Sequence, residues 1–161
     1  MTVQIALPRL RMFAGPNGSG KSTLKASLQP RWLGVYLNPD EIEAMWRMFG
    51  VLELRTFQVA ANADEILHYF QNSSLLIKSG LIEQLEHLQI FGSGADTEIH
   101  FHSSLVNSYW ASVVSDFFRH KLLQSLTTFS FETVMSSPDK IIFLERVHDL
   151  SKLSDNSGMR K

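Results

Sequence analysis

The first fifty residues alternate between short apolar runs and stretches with helical spacing. Residues 9–14 (RLRMFA) form a short apolar run that predicts a buried strand, and residues 21–29 (KSTLKASLQ) predict a helix that Pro30 ends. Residues 34–38 (GVYLN) predict a second strand, and residues 39–41 (PDE) predict a turn that starts another helix. The order strand, loop, helix, strand, loop, helix is typical of a parallel sheet.

The middle of the chain, about residues 42–124, has a different pattern. The stretches EIEAMWRMF, ADEILHYFQ and SGLIEQLEHLQIF place apolar residues three and four apart, which predicts helices, and FGSGADTE predicts a loop. A long helical stripe follows, made of Leu105, Tyr109, Val113, Phe117, Leu122 and Leu126. We therefore predict a helical insertion, about residues 50–124, that packs beside the sheet and is not a separate domain.

The last part of the chain returns to β character. Residues 127–132 (TTFSFE) predict a strand that ends on an acid, residues 133–137 a loop and residues 139–150 (DKIIFLERVHDL) a helix. The polar tail 151–161 has no pattern and is expected to be loose. The prediction is one α/β domain over residues 1–150, a parallel sheet flanked by helices. Only three strands are evident, so we expect the sheet to be truncated at its C-terminal side.

A glycine-rich loop stands between the first predicted strand and helix. The stretch AGPNGSGKST has the spacing G-x-x-x-x-G-K-S, in which glycines let the backbone approach a phosphate closely. Lys21 would reach the β- and γ-phosphates, and Ser22 would offer its hydroxyl to Mg²⁺. The loop thus predicts a site for ATP or GTP with Mg²⁺. Its nucleotide-binding residues are Gly15, Pro16, Asn17, Gly18, Ser19, Gly20, Lys21, Ser22 and Thr23.

Composition narrows the setting of this site. The 161 residues are 44% hydrophobic and 19% charged, as in an ordinary globular protein, and a net charge of -1 favours neither nucleic acid nor an anionic membrane as a partner. The absence of cysteine excludes disulfides and a cysteine nucleophile, and fits a reducing compartment. No signal-peptide pattern and no apolar run near the roughly 20 residues of a membrane span occur. We expect a cytoplasmic protein.

Two further motifs distinguish among phosphate-loop proteins. A signature loop like L-S-G-G-Q, typical of transporter ATPases, and a guanine-specific N-K-x-D are both missing, which disfavours an ATPase motor or switch. Instead, NPDEI follows the second predicted strand and FETVMS ends the last one. With AGPNGSGKST, this set resembles the zeta-toxin-like P-loop kinases and related predicted ATPases. The resemblance covers about residues 10–49 and 124–150 and leaves out the helical middle.

The resemblance implies a P-loop NTPase-type fold and transfer of the γ-phosphate to a small hydroxyl-bearing acceptor. In that family the acceptor is the sugar of UDP-N-acetylglucosamine. The matching aspartate, Asp40 here, would be the general base, and Glu132 with Thr133 would contact the substrate. A protein partner of the antitoxin kind is implied as well.

Alternatives stay open for these residues. Asp40 could cap the helix that follows it, with Glu43 completing a capping box. Glu132 could hold Mg²⁺ through water or be a strand-end glutamate that faces solvent. Asn38 is expected to be a turn residue, and Glu41 to lie on a solvated helix surface.

The other candidate residues have simpler explanations. His100 and His102 would share one face of a strand and could bind a metal, but two surface histidines in a loop are favoured because no third ligand is evident. Trp46, Trp110 and the pair Phe117-Phe118 are expected in the core. Arg119 and Arg146 lie on helical patterns and are expected either to extend their charged ends to water or to pair with acids. Asp64-Glu65 is expected to be a helix start, and Ser136 a weaker substrate contact.

One component of a kinase is not found. Phosphoryl transfer needs positive charge around the γ-phosphate, and kinases of this kind supply arginines from a lid after the acidic strand. No such lid is evident after Glu132. Two hypotheses of different class follow: a small P-loop kinase, or a divergent module that binds nucleotide and transfers little or no phosphate.

Overall fold

A three-stranded parallel sheet brings together strands from distant parts of the chain. The computed structural model describes residues 8–16, 18–133, 145 and 147–149. The sheet consists of β1 (Leu10–Ala14), β2 (Val35–Leu37) and β6 (Phe129–Thr133), with β6 between the other two. Ala14 aligns with Thr133 and Leu37 aligns with Phe131. The carboxyl ends of all three strands therefore lie along one edge of the sheet.

Helices cover both faces of this sheet. The segment after β1 forms α1 (Lys21–Ser27) and the short α2 (Pro30–Leu33), and the segment after β2 forms α3 (Pro39–Phe49). Backbone carbonyls of α2 accept hydrogen bonds from the side chains of Arg11 in β1 and Ser130 in β6, so α2 lies on the face that these two residues share. The opposite face carries Phe129 and Phe131, which belong to the main hydrophobic core. An α/β sheet flanked by helices is thus present, as the sequence pattern predicted.

The middle of the chain contains a second sheet. Its strands are β3 (Val51–Glu53), β4 (Gln89–Phe91) and β5 (Glu98–His100), and β5 pairs antiparallel with both of the others. The helices of this region are α4 (Ala63–Gln71), α5 (Ser74–Lys78) and α6 (Ser108–Gln124), with 3-10 turns at Leu54–Phe57 and Ile82–His87. The predicted helical insertion is therefore correct for its helices and wrong in leaving out this sheet.

The error has a physical cause in the stretch SGLIEQLEHLQIF. Its apolar residues satisfy a helical period, but Gly80 adopts a left-handed backbone conformation (φ +70°) and ends α5 before that stretch begins its 3-10 turn. Residues 89–91 then pair with β5 across a turn. Strands of three residues are too short to show an alternating pattern, and their pairing is decided by residues elsewhere in the chain.

One hydrophobic core connects the two sheets. It includes Trp46 of α3, Trp110 and Phe118 of α6, Phe70 of α4 and Ile99 of β5, all fully buried. Burying one such large side chain contributes about 1.5–3 kcal/mol relative to leaving it exposed. The expectation that both tryptophans and the pair Phe117-Phe118 are core residues is confirmed.

The predicted stripe of α6 is only partly buried. Val113, Phe117 and Leu122 are buried, but Tyr109 is 47% exposed and Leu126, which follows the helix, is 65% exposed. Trp110, Val114 and Phe118 are buried in addition, because α6 packs against several elements and has apolar residues on more than one side.

The predicted C-terminal helix, residues 139–150, lies mostly outside the described residues. Residue 145 and residues 147–149 are helical. The tail 151–161 is also outside the described part. Within that part, no helix combines the length and the apolar character needed to cross a membrane.

Candidate functional site

The glycine loop leaves β1 and is fastened to the neighbouring strand. The backbone N–H of Gly15 donates to the carbonyl of Thr133 in β6 (3.3 Å). Gly15, Gly18 and Gly20 all have positive φ, at 151°, 79° and 85°. A Cβ on Gly15 would lie 2.7 Å from the Ser19 hydroxyl, a contact that rotation of the exposed serine side chain would relieve, so the backbone conformation is the main constraint. The loop shape therefore depends on glycine. Asn17 lies outside the described residues.

Lys21 is held against the loop that precedes it. Its ammonium group donates to the carbonyls of Gly15 (2.7 Å) and Pro16 (2.8 Å). The side chain is half-buried, whereas Ser22 and Thr23 beside it are exposed at the start of α1. The positive charge of Lys21 therefore lies beside the first residues of the glycine loop.

All three predicted motifs border one cleft at the carboxyl edge of the parallel sheet. The cleft has a volume of about 380 Å³. Its lining residues are Gly18, Gly20, Lys21, Ser22, Asn38, Asp40 and Glu132. The loop, the end of β2 and the end of β6 meet there because β6 lies between β1 and β2. Ligands of open α/β sheets bind in a crevice of this kind.

Asp40 lies in the first turn of α3 and is exposed. The cap of this helix is Asn38, whose side-chain oxygen accepts from the backbone N–H of Asp40 (2.9 Å). Glu43 forms an ion pair with Arg47 (3.0 Å). The alternative that Asp40 and Glu43 form a capping box is therefore wrong, because Asn38 already accepts from the helix start. Capping by Asn38 leaves the Asp40 carboxylate at the cleft.

Glu132 is half-buried near the end of β6 and is bound by a tyrosine. Its Oε1 accepts a hydrogen bond from the hydroxyl of Tyr36 in β2. Burial, together with the hydrogen bond and negative charge of Glu132, raises the pKa of Tyr36 well above its ordinary value. Tyr36 is thus a neutral donor at physiological pH, and Glu132 is not the solvent-facing strand end that was the alternative.

Thr133 is separated from this cleft. Side chains alternate along a strand, so Thr133 and Glu132 lie on opposite faces of the sheet. Thr133 is 6% exposed, and its hydroxyl has no hydrogen-bond partner among the described residues. The described residues therefore bring Glu132 to the cleft and leave Thr133 in the interior. Ser136 lies outside the described part.

Two residues near the site were missed by the sequence analysis. Lys25 of α1 lies over the ring of Tyr36, 3.4 Å from its centroid, and its ammonium group is 3.2 Å from Glu41 Oε1. Glu41, expected on a solvated surface, is exposed but paired. Lys25 is four residues after Lys21 and so shares its helix face, and Tyr36 alternates with the buried Val35 and Leu37. The four-residue spacing on α1 and the alternation along β2 are the sequence signals from which Lys25 and Tyr36 could have been placed near the site.

The cleft has ligands of the type that Mg²⁺ prefers. The Ser22 hydroxyl and the Asp40 and Glu132 carboxylates supply oxygen atoms. Within the described residues, no three histidine or acidic side chains are grouped to hold a metal ion. Mg²⁺ commonly takes one or two protein ligands and completes its shell with phosphate oxygens and water, which these residues fit.

The histidines and the arginine considered as candidates in the sequence do not line the cleft at the parallel sheet. His100 ends β5 with its Nε2 2.8 Å from Glu98 Oε2, and His102 contacts Ser104 (2.7 Å). Both border a separate open cleft of about 730 Å³ in the second sheet region. Arg119 is paired with Asp116, as expected, and does not line the cleft at the parallel sheet. Arg146 is outside the described part.

Asp64 and Glu65 begin α4, as predicted. Asn62 caps the helix by accepting from the backbone N–H of Glu65 (2.9 Å), and Glu65 accepts from the backbone N–H of Asn62 (2.9 Å). These two acids therefore belong to a helix terminus and not to a catalytic pair.

The fold and the cleft together define an α/β protein with a polar site at the carboxyl edge of a parallel sheet. No protein-family model, no curated protein and no solved structure matches this chain.

Proposed function

We propose that this chain is a P-loop nucleotide-binding protein that transfers the γ-phosphate of Mg²⁺-bound ATP or GTP to a small hydroxyl-bearing acceptor. The observation that carries the proposal is the shared cleft. Lys21, Asp40 and Glu132 are far apart in the chain and belong to three motifs, yet all three line one cleft. An arrangement that served only local structure would not require them to meet.

The donor side of the cleft is the glycine loop. Lys21 supplies a positive charge for the β- and γ-phosphates, and it would exchange its bonds to the Gly15 and Pro16 carbonyls for phosphate oxygens. Ser22 would hold Mg²⁺, which neutralises phosphate charge when it is bound. The backbone N–H groups of the loop would point at the same oxygens.

The acceptor side is defined by two carboxylates. Asp40 would accept the proton of the acceptor hydroxyl as general base, and Glu132 would hydrogen-bond the acceptor. An acceptor rich in hydroxyl groups suits two carboxylates. The resemblance to zeta-toxin-like kinases makes UDP-N-acetylglucosamine the first acceptor to test. The cytoplasmic location and an antitoxin-like partner remain predictions from the sequence.

A second candidate function is nucleotide binding with little or no transfer. Among the described residues that line the cleft, Lys21 is the one cation, and its ammonium group is bound to loop carbonyls. A kinase without a second positive charge near the γ-phosphate would be slow, because an arginine at that place is worth about 10³–10⁵ in rate.

The test separates these functions in two measurements. Binding of a fluorescent ATP analogue with Mg²⁺ is measured first, and ADP production is then measured with and without UDP-N-acetylglucosamine. Binding with acceptor-dependent ADP production supports the kinase, and binding without ADP production supports the second candidate.

Lys21→Ala should abolish nucleotide binding, because it removes the charge that faces the phosphates. Lys78→Ala is the matched control, since Lys78 lies exposed in the last turn of α5, away from the cleft. Binding that survives Lys21→Ala would contradict the site assignment.

A further inference from the structure

The ring of Tyr36 is fixed from two directions. The ring of Phe13 in β1 meets it edge-on, with centroids 6.2 Å apart and planes at 68°. The ammonium group of Lys25 lies 3.4 Å from the ring centroid, a cation-π contact. Phe13 is buried and β1 is paired to β6, so one side of this clamp belongs to the rigid sheet. The direction of the Tyr36 hydroxyl is therefore set by packing.

That hydroxyl is directed toward the carboxyl edge of the sheet. Tyr36 is aligned with Ser130 in β6, and its hydrogen bond goes to Glu132, two residues farther along the same face. The bond uses Oε1 of Glu132, and no other hydrogen bond to this carboxylate occurs among the described residues. The second oxygen is left to the cleft that Glu132 lines.

Lys25 connects this clamp to both substrate sides. It follows Lys21 and Ser22 by about one turn of α1, and it forms an ion pair with Glu41, the neighbour of Asp40 in the first turn of α3. The Lys25 side chain is 29% exposed and the Glu41 side chain is 62% exposed, so the ion pair is open to water on the glutamate side. The two helices that carry the donor and acceptor residues are thus joined through one ammonium group.

We propose that Tyr36, held by Lys25 and Phe13, is a positioning residue that orients the Glu132 carboxylate to accept a hydrogen bond from the acceptor hydroxyl. This proposal rests on the proposed kinase function. It assigns to Tyr36 no contact with the nucleotide, so the donor side should not depend on its hydroxyl.

The direct test is Tyr36→Phe, which removes one hydroxyl and keeps the ring in its clamp. With Mg²⁺-ATP and UDP-N-acetylglucosamine, kcat/KM for the acceptor should fall about tenfold or more, as expected for a lost hydrogen bond to a charged group. Affinity for the fluorescent ATP analogue should not change. Tyr109→Phe, which alters an exposed tyrosine of α6, is the control. An unchanged kcat/KM in Tyr36→Phe would overturn the proposal.

A double substitution tests whether Tyr36 acts through Glu132. Glu132→Gln should lower kcat/KM at least as much as Tyr36→Phe, and the double variant should be no worse than Glu132→Gln alone. Losses that multiply would overturn the proposal, because they would mean independent roles. Lys25→Met, compared with Lys78→Met, should give a smaller loss of the same kind.

The urea midpoints of the same variants provide a readout that needs no enzyme activity. If Tyr36 binds Glu132, the two single substitutions lower the midpoint and the double substitution lowers it by less than their sum. If the midpoint shift of the double variant equals the sum of the two single shifts, Tyr36 and Glu132 do not interact. A wild-type chain that binds nucleotide and releases no ADP would defeat the proposed function, and the midpoints would still decide the contact.

Discussion

At the scale of single residues, position in a helix does not explain what Asp40 does. Asp40 and Asp64 both stand two residues after an asparagine cap, in the first turns of α3 and α4. Each carboxylate has the same favourable interaction with the helix terminus, typically about 0.3–1 kcal/mol. They differ in their surroundings: Asp40 borders the cleft with Lys21 and Glu132.

This pair provides a matched prediction. Asp40→Asn should lower the rate of phosphate transfer by about 10²–10⁴, because the general base is lost, and should change nucleotide affinity much less. Each of the two substitutions should lower the free energy of unfolding by about 0.3–1 kcal/mol, the value of a carboxylate at a helix N-terminus. Asp64→Asn should leave phosphate transfer unchanged. ADP production and urea unfolding of both variants check this. Equal transfer rates in the two variants would exclude a general-base role for Asp40.

At the scale of elements, the placement of β2 depends on one glycine. Gly34 joins α2 to β2 with φ +61°, and a Cβ there would overlap the carbonyl of Thr128, just before β6. The same carbonyl accepts from the backbone N–H of Val35 (3.1 Å). The start of β2 is thus pressed against the central strand, and this contact places Tyr36 beside Ser130 and Glu132.

Gly34→Ala should therefore lower the free energy of unfolding by about 3 kcal/mol, from left-handed backbone strain and steric overlap together. Gly80→Ala is the matched control: its φ is +70°, but nothing lies within 4 Å of a Cβ there. The control should lose about 1 kcal/mol. Urea unfolding of both variants measures the difference. Equal losses would mean that the backbone at Thr128 moves away from the added Cβ with no loss of stability.

At the scale of the whole molecule, helices that are far apart in the sequence are joined by a side-chain ion pair at the protein surface. Lys121 of α6 donates to Glu65 of α4 (2.9 Å), and α6 in turn packs on α3, the helix that begins at the cleft. The hydrogen bond from Lys121 is the main cause of a lowered pKa at Glu65, and the hydrogen bond from the backbone of Asn62 is the second. The folded state therefore prefers the ionised carboxylate.

The sign of the pH dependence follows. Stability from a lowered pKa is present above the unfolded pKa, about 4.3 for glutamate, and is lost as the pH falls through the lower folded value. Glu65→Gln should thus be less stable than the wild type at neutral pH, and the difference should shrink below about pH 4. Urea midpoints across this range measure it, with Glu83→Gln, an exposed change, as control. A difference that grows toward low pH would contradict the pKa direction.

The local features of this protein follow from short stretches of its amino-acid sequence. The G-x-x-x-x-G-K-S spacing identified the loop, because positive φ values at Gly15, Gly18 and Gly20 are open to glycine and costly for other residues. The three parallel strands and the start of α3 were found because apolar runs and a proline act over a few residues, whereas the cap was expected at Asp40 and is Asn38. These signals are local, so a single sequence is enough to show them.

Which of these features meet depends on strand order and packing. The position of β6 between β1 and β2 brings Glu132 to the cleft and selects Tyr36 as its partner, and no local pattern specifies strand order. The antiparallel sheet of β3, β4 and β5 was missed because strands of three residues are too short to show an alternating pattern. The pairing of β3 with β5 also joins segments that are far apart in the sequence, and this pairing outweighs helical spacing.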